Sequence, residues 1–414
     1  MQSENLIHPT IVVIAYNRPF ALKRVLQSLA NANYHWYSDI NLIISIDGGG
    51  DKNLEVKQVA NDFLWNFGRK IIITHESNLG LRNHGIFCGD LTKKYNHIIV
   101  FEEDCLVSRN FFDYSVQALK FYHEDNRIAG ISLYSYNYYE SFGAYFRPVS
   151  DGYDTYFMQV PSSLGQIWTK NKWLYFKEYY KSNPQISDLD KIPDKVKKWP
   201  ESSWKKFFYK YMVDKDLYFV YPQIALSTNF GDAGTHFYYD TQIYQVPVEF
   251  YQINRIYNFS LFDESLNKYD AYFEIKPECL IQNGVMIDPD TCIDTFGSKQ
   301  LNLFENKYVL SSKNCSECIL NYDDVLVPLI QNVLYQIKGN SVHYGLHENY
   351  GELLPSARYR LNKNAQCLGF SAGQQEIISG KYYKLGYYFA KPWKIANMLK
   401  RKLFRKSVAN SYDK

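Results

Sequence analysis

The segment Ile98-Ile99-Val100-Phe101 runs directly into Glu102-Glu103-Asp104 and continues as Cys105-Leu106-Val107. An apolar run ending in this way fits a strand buried on both faces of a parallel sheet. Charges at its carboxyl end emerge in the crevice where open α/β sheets bind their ligands. Three adjacent carboxylates there want a cation, and oxygen-only ligands suit a hard ion such as Mg²⁺ or Mn²⁺. The competing reading is a helix approach. Asn110 precedes Phe111-Phe112-Asp113-Tyr114, which has the form of a helix start, and acids near such a start are favoured by the helix dipole. The triplet alone leaves both readings open.

Upstream, three further apolar runs give it a context. Ile11-Val12-Val13-Ile14-Ala15 is broken by Tyr16-Asn17-Arg18-Pro19, and Leu22, Val25, Leu26 and Leu29 follow at helical spacing. Ile40-Asn41-Leu42-Ile43-Ile44-Ser45-Ile46 ends in Asp47-Gly48-Gly49-Gly50-Asp51, and Ile71-Ile72-Ile73-Thr74 runs into Glu76-Ser77-Asn78-Leu79-Gly80-Leu81-Arg82-Asn83-His84-Gly85. Three strand–loop–helix units therefore precede the acidic strand, each with a polar or glycine-containing loop after the strand. A nucleotide site at the carboxyl edge of a parallel sheet is built from such loops.

With these residues in place the chain resembles the GT-A glycosyltransferases, most closely the N-acetylglucosaminyltransferase I type and bacterial family-2-like transferases. Their strand-end motif reads roughly EDDLxVxPDFF, and here Glu102-Glu103-Asp104-Cys105-Leu106-Val107-Ser108-Arg109-Asn110-Phe111-Phe112 stands in its place. The opening IVVIAYNRP resembles the family's first strand and nucleotide loop, and SIDGGGD its second. The resemblance implies a Rossmann-like mixed sheet with flanking helices. It also implies inverting transfer of a sugar from a nucleotide-diphospho-sugar, a UDP-sugar for preference, to a saccharide or lipid-linked acceptor in surface polysaccharide or lipopolysaccharide synthesis. Asp104 would hold Mn²⁺ or Mg²⁺, Glu103 would support it, and Glu102 would lie nearer the ribose or be structural. Asn17, Arg18, Asp47 and Asn78 fall where the family holds the nucleotide, Asp47 by a base or ribose hydrogen bond. Arg82 would meet a phosphate; the alternative is a solvent-facing loop arginine.

The resemblance also places an acceptor-activating base at the turn Trp199-Pro200-Glu201-Ser202-Ser203-Trp204. Animal relatives carry paired aspartates before the tryptophan, whereas this chain has two serines, which shifts the role to Glu201. Its bland reading is a first-turn helix acid. Asp232 is second choice. It lies with His236 in Asn229-Phe230-Gly231-Asp232-Ala233-Gly234-Thr235-His236, a glycine-containing loop able to approach a diphosphate and set an imidazole beside the cation. A lone histidine is also a common structural residue. The polar stretch from Asn183 to Lys198 reads either as a mobile lid over the donor or as a long surface loop.

At 414 residues the chain exceeds the size at which one core keeps growing. The expected division is a catalytic domain over 1–250, a smaller α+β accessory region over 251–380 and a basic amphipathic tail over 381–414. Between Ile377 and Tyr412 there are nine Lys/Arg and no Asp/Glu, interleaved with Tyr387, Tyr388, Phe389, Trp393, Leu399 and Phe404. That pattern reads as an interfacial element attracted to anionic lipid, against a solvated terminal helix or a nucleic-acid contact. No nucleic-acid motif appears elsewhere. Seven cysteines at irregular spacing form no disulfide framework, and Cys315-x-x-Cys318 lacks a second pair for zinc. The first residues show no basic segment followed by an apolar core. The expectation is a cytoplasmic enzyme, peripheral on the inner face of the inner membrane. A sugar-nucleotide nucleotidyltransferase would share the sheet, but Tyr16-Asn17-Arg18-Pro19 is not its glycine- and basic-rich loop. A non-catalytic sugar-nucleotide binding module is the other alternative, kept open by Ser202-Ser203.

Overall fold

The computed structural model describes residues 8–182, 184–232, 241–250 and 255–366, the last five of these without their side chains. His236 and the tail from 381 lie outside the described residues. The amino-terminal half alternates strand and helix: β1 (Thr10–Ala15), α1 (Pro19–Ala30), β2 (Leu42–Ile46), α2 (Asn53–Asp62), β3 (Lys70–Thr74), α3 (Gly80–Asp90), α4 (Thr92–Tyr95) and β4 (His97–Glu102). Next come β5 (Cys105–Val107), α5 (Phe111–Tyr122), β6 (Ile128–Ser132) and the short hairpin β7 (Tyr138–Tyr139) and β8 (Ala144–Tyr145). The chain continues through β9 (Thr155–Met158), β10 (Gln166–Thr169), α6 (Lys170–Lys181), α7 (Asp194–Lys197), α8 (Trp204–Asp214), β11 (Tyr218–Pro222), β12 (Ser227–Asn229) and β13 (Lys268–Tyr269).

Nine of these strands form one sheet in the order β13-β9-β11-β6-β10-β4-β1-β2-β3. The units β1, β2, β3 and β4 are parallel, as their continuous apolar runs require. Alternate residues of each strand feed opposite faces. Ile11, Val13, Ile99 and Phe101 pack with Leu22, Val25, Leu26 and Phe111 beneath α1 and α5. Val12, Ile98 and Val100 pack on the other side with Cys88, Trp173, Trp204 and Phe208 of α3, α6 and α8. On that second face α3 meets α6 at Gly89, where a β-carbon would lie 2.0 Å from the Trp173 ring. Only glycine permits this approach.

Strand β10 runs antiparallel between β4 and β6, so those two strands point the same way and the sheet is mixed. β11 is parallel to β6. The carboxyl ends of β1, β2, β4, β6 and β11 thus share one edge, and α8, which precedes β11, presents its amino end there. The turn into β10 uses Gly165 at φ +86°, a left-handed conformation in a space closed by Phe101 and Ser227.

The rest of the described chain contains α9 (Pro277–Gln282), β14 (Thr291–Asp294), β15 (Tyr308–Ser311), β16 (Leu320–Tyr322), α10 (Ile330–Leu334), β17 (Val342–Leu346) and α11 (Pro355–Gln366). A four-stranded sheet, β14-β15-β17-β16, organises it, matching the expected smaller α+β region. β13 pairs with β9, so the main sheet recruits residues 268–269, and the second sheet begins only at Thr291. A buried ion pair joins the two parts, Lys299 Nζ donating to Asp270 Oδ2 at 2.5 Å, and within the second part Lys313 pairs with Asp294 at 3.7 Å. Glu274, almost fully buried, accepts from Thr295 Oγ1 at 2.6 Å and Phe296 N–H at 2.7 Å.

The polar stretch before Lys198 is packed against the body over its described part. Ile192 and Val196 are buried in the core, Asp190 pairs with Lys210, and Lys195 Nζ donates to the Glu140 carbonyl at 3.1 Å. Two apolar anchors in a polar segment were enough to fold it down. No helix among the described residues is long and apolar enough to cross a membrane.

Candidate active site

β4 ends at Glu102, and Glu103-Asp104 form the turn that sends the chain back into β5. β5 is held by β12 through the pairs Asn229↔Cys105, Thr228↔Leu106 and Ser227↔Val107, and Phe230 N–H donates to the Asp104 carbonyl at 2.8 Å. The acidic turn is therefore fixed from both sides rather than being a free loop. Arg18, the residue before Pro19 at the start of α1, reaches across to it. Its Nε donates to Glu103 Oε1 at 2.9 Å and its Nη1 to Asp104 Oδ2 at 3.1 Å.

Burial, together with the neighbouring Asp104 and Glu103 charges, pushes the Glu102 carboxyl up to about 8. Glu103 is raised by burial and partly relieved by Arg18. Burial works against the Arg18 charge, yet Glu103 and Asp104 more than offset it and hold the guanidinium firmly protonated. The remaining Asp104 oxygen, Oδ1, is buried with no hydrogen-bond partner, and so is Asn229 Oδ1 on the adjoining strand. Buried polar atoms are usually paired, so an orphan carboxylate oxygen in an all-oxygen cluster fits a hard divalent ion at Asp104. Among the described residues no three His, Cys, Asp or Glu side chains converge as a ready ligand set.

The other nucleotide-loop residues are brought to the same edge and tied to each other. Asp47 is buried: its Oδ1 accepts from Gly48 N–H at 2.9 Å and Leu79 N–H at 2.8 Å, and its Oδ2 from Gly80 N–H at 3.0 Å. It clamps the loop after β2 onto the start of α3, an organising role that a base or ribose contact did not anticipate. Asn17 Oδ1 accepts from Lys52 N–H at 2.6 Å while its Nδ2 donates to Asp51. Asn78 donates to the Tyr16 hydroxyl at 2.9 Å and caps Gly80 N–H at 2.7 Å. Three loops are thus cross-bridged into one rim.

Arg82 is on a helix rather than a loop and is partly exposed. It lies one turn into α3, where its Nη1 donates to the Glu201 carbonyl at 3.1 Å, its Nε donates to the Tyr180 hydroxyl, and its guanidinium sits 4.6 Å from the Phe207 ring centre. These contacts tie Arg82 to α6 and α8. Glu201 precedes α8 with an exposed side chain that pairs with the buried Lys206. Asp232 pairs with Arg24 of α1, whose guanidinium stacks 3.9 Å from the Phe230 ring centre. His236 lies outside the described residues.

Two groups escaped the sequence reading. Lys205, in the first turn of α8, lies within electrostatic reach of both Glu102 and Glu140, and burial lowers its ammonium against their pull. Glu140, in the β7–β8 turn, accepts from the Tyr244 hydroxyl at 2.6 Å and has Lys195 at 4.0 Å. Glu140 was concealed in the tyrosine-rich segment Tyr134 to Tyr145, of which it is the one acid.

Residues 10–183 match the family model described as glycosyl transferase family 2. They form a glycosyltransferase domain of the GT-A fold. The matched glycosyltransferase segment starts at β1, holds the acidic turn and ends after α6. No curated protein matches the chain. Among solved structures, Staphylococcus aureus TarS is 13% identical with a TM-score of 0.32, over 53% of this chain and 36% of that one. Mouse xyloside xylosyltransferase 1 is 12% identical with a TM-score of 0.33, over 51% and 84%. The mannosyltransferase PcManGT from Pyrobaculum calidifontis, in complex with GDP-Man and Mn²⁺, is 11% identical with a TM-score of 0.28, over 40% and 45%. Likenesses this distant carry no argument about this chain's substrates.

Proposed function

We propose that this protein transfers a glycosyl group from a nucleotide-diphospho-sugar, for preference a UDP-sugar, to a hydroxyl of a saccharide or lipid-linked acceptor, with inversion. The observation that carries the reading is the fixed acidic turn at the carboxyl edge, with its unpartnered Asp104 oxygen, inside the glycosyltransferase domain. Asp104, with Glu103 beside it, would hold Mg²⁺ or Mn²⁺; when bound, such an ion neutralises charge that develops on a departing diphosphate. The rim of Asn17, Asp47 and Asn78 shapes the nucleotide pocket, with Asp47 fixing the backbone that the nucleoside meets.

The acceptor hydroxyl needs a carboxylate to take its proton. Glu201 and Asp232 remain the sequence-derived candidates for that role, and Glu140 joins them as a further acid that, like Glu102, lies within electrostatic reach of Lys205. A surface polysaccharide or lipopolysaccharide pathway and a peripheral place on the cytoplasmic membrane face complete the reading, supported by the basic, aromatic-rich sequence of the tail.

The test is release of UDP from a panel of UDP-sugars, with and without Mn²⁺ and with a chelator. A glycosyltransferase releases UDP, and faster with acceptor. Pyrophosphate released from a nucleoside triphosphate plus a sugar phosphate would instead indicate a nucleotidyltransferase, and binding without turnover a non-catalytic module.

A further inference from the structure

We propose that Arg18 is a resident cation of the acidic turn, competing with a divalent ion for Glu103 and Asp104 and yielding them when a diphosphate arrives. The inference rests on the diphosphate reading of the site. Its guanidinium does not grip one carboxylate with both arms; it spans two consecutive residues, Nε to Glu103 at 2.9 Å and Nη1 to Asp104 at 3.1 Å. The three side chains are 29%, 9% and 15% exposed, so water and salt screen the pairs only in part. Arg18 is also tethered: it is the residue on which α1 begins, and Pro19 fixes the backbone behind it. The charge can swing about its stem but cannot leave the site.

The consequence follows from the remaining oxygen. A divalent ion approaching Asp104 Oδ1 meets a carboxylate whose other oxygen already holds a guanidinium, and like charges at that spacing repel. The ion alone should therefore bind weakly. A diphosphate changes both terms: it offers the guanidinium fork a phosphate partner of matching geometry, and it leaves Glu103 and Asp104 free for the ion. Ion and diphosphate then raise each other's affinity, and by linkage the effect is the same in either order. A purely structural role for Arg18 would stabilise the turn without opposing the ion.

The test reads free Mn²⁺ by electron paramagnetic resonance in titrations of the full chain, with and without UDP. Arg18→Met should bind Mn²⁺ alone about tenfold more tightly than wild type, the effect of one removed partly buried charge contact. Arg18→Lys, which keeps the charge, should stay near wild type. A gain of less than threefold for Arg18→Met overturns the proposal. Should that variant fail to fold, Arg18→Gln, which also removes the charge, is read by the same measure, and a gain of less than threefold overturns the proposal. Failure of the donor reading looks different, since no sugar nucleotide would then be turned over while the Mn²⁺ affinity of Arg18→Met would still rise.

Discussion

Asp104 differs from its two neighbours in one respect: a buried oxygen of its carboxylate has no partner. Asp104→Asn deletes charge from the site without removing packing, so we expect turnover to disappear while the thermal melt stays close to wild type. Near-wild-type turnover in that variant would remove the acidic turn from the mechanism. The proton acceptor is a separate question. Losing a general base usually lowers turnover by about 10²- to 10⁴-fold with little effect on nucleotide affinity. Glu201→Gln, Asp232→Asn and Glu140→Gln, compared for UDP affinity and turnover, should single out one of the three by that pattern. The sequence made the triplet visible because its signal is local, three acids at the end of one apolar run. Glu102, Glu140 and Lys205 were not legible as a group, because they lie far apart in the chain, at the end of β4, in the β7–β8 turn and on α8. Arg82 shows the same limit: its partners Tyr180 and Glu201 lie on α6 and in the turn before α8.

The helices on the second face are held at close range by aromatic rings rather than by caps. Trp168, Trp173, Phe176 and Phe208 stack between the sheet and the pair α6 and α8, and α3 approaches them through Gly89. Any side chain at Gly89 must displace Trp173. Gly89→Ala should therefore cost about 1–3 kcal/mol of stability, the usual range for an overfilled core, measured as a shift in the urea midpoint at constant m-value. An unmoved midpoint would show that α3 has room to retreat. Strands β1 to β4 and helices α1 and α5 were legible because apolar periodicity alone specifies them. Strand β10 was not distinguished as antiparallel, since four residues carry no signal of direction. The burial of Ile192 and Val196 in the stretch ending at Lys198 was not legible, because its prolines and lysines dominate the local pattern.

Across the whole molecule, burial and the nearby Asp294 charge push Glu274, where the second sheet meets the first, up to about 8. A folded value above the unfolded one means that the folded state keeps the proton to higher pH. This contribution to stability is complete below the ordinary glutamate range and is lost as pH rises through about 8. The melting temperature should fall between pH 5 and 9 in the wild type by more than in Glu274→Gln; equal slopes would place the titration elsewhere, for example at Glu102. The tail carries a second whole-molecule expectation. Truncation after Gly380 should abolish sedimentation with anionic vesicles while donor hydrolysis survives, because basic attraction and aromatic insertion are each weak alone. Unchanged sedimentation would reduce the tail to a solvated terminus. By itself the sequence determined the alternation of strand and helix, the edge at which polar loops gather and the acids that end β4, because hydrophobic period and strand-end charge are properties of short segments. Only the tertiary structure decided that Arg18 occupies those acids, that Asp47 clamps backbone, that Arg82 braces α8 and that the main sheet reaches Tyr269. Each of those depends on contacts between segments far apart in the chain, which packing selects and local pattern does not encode.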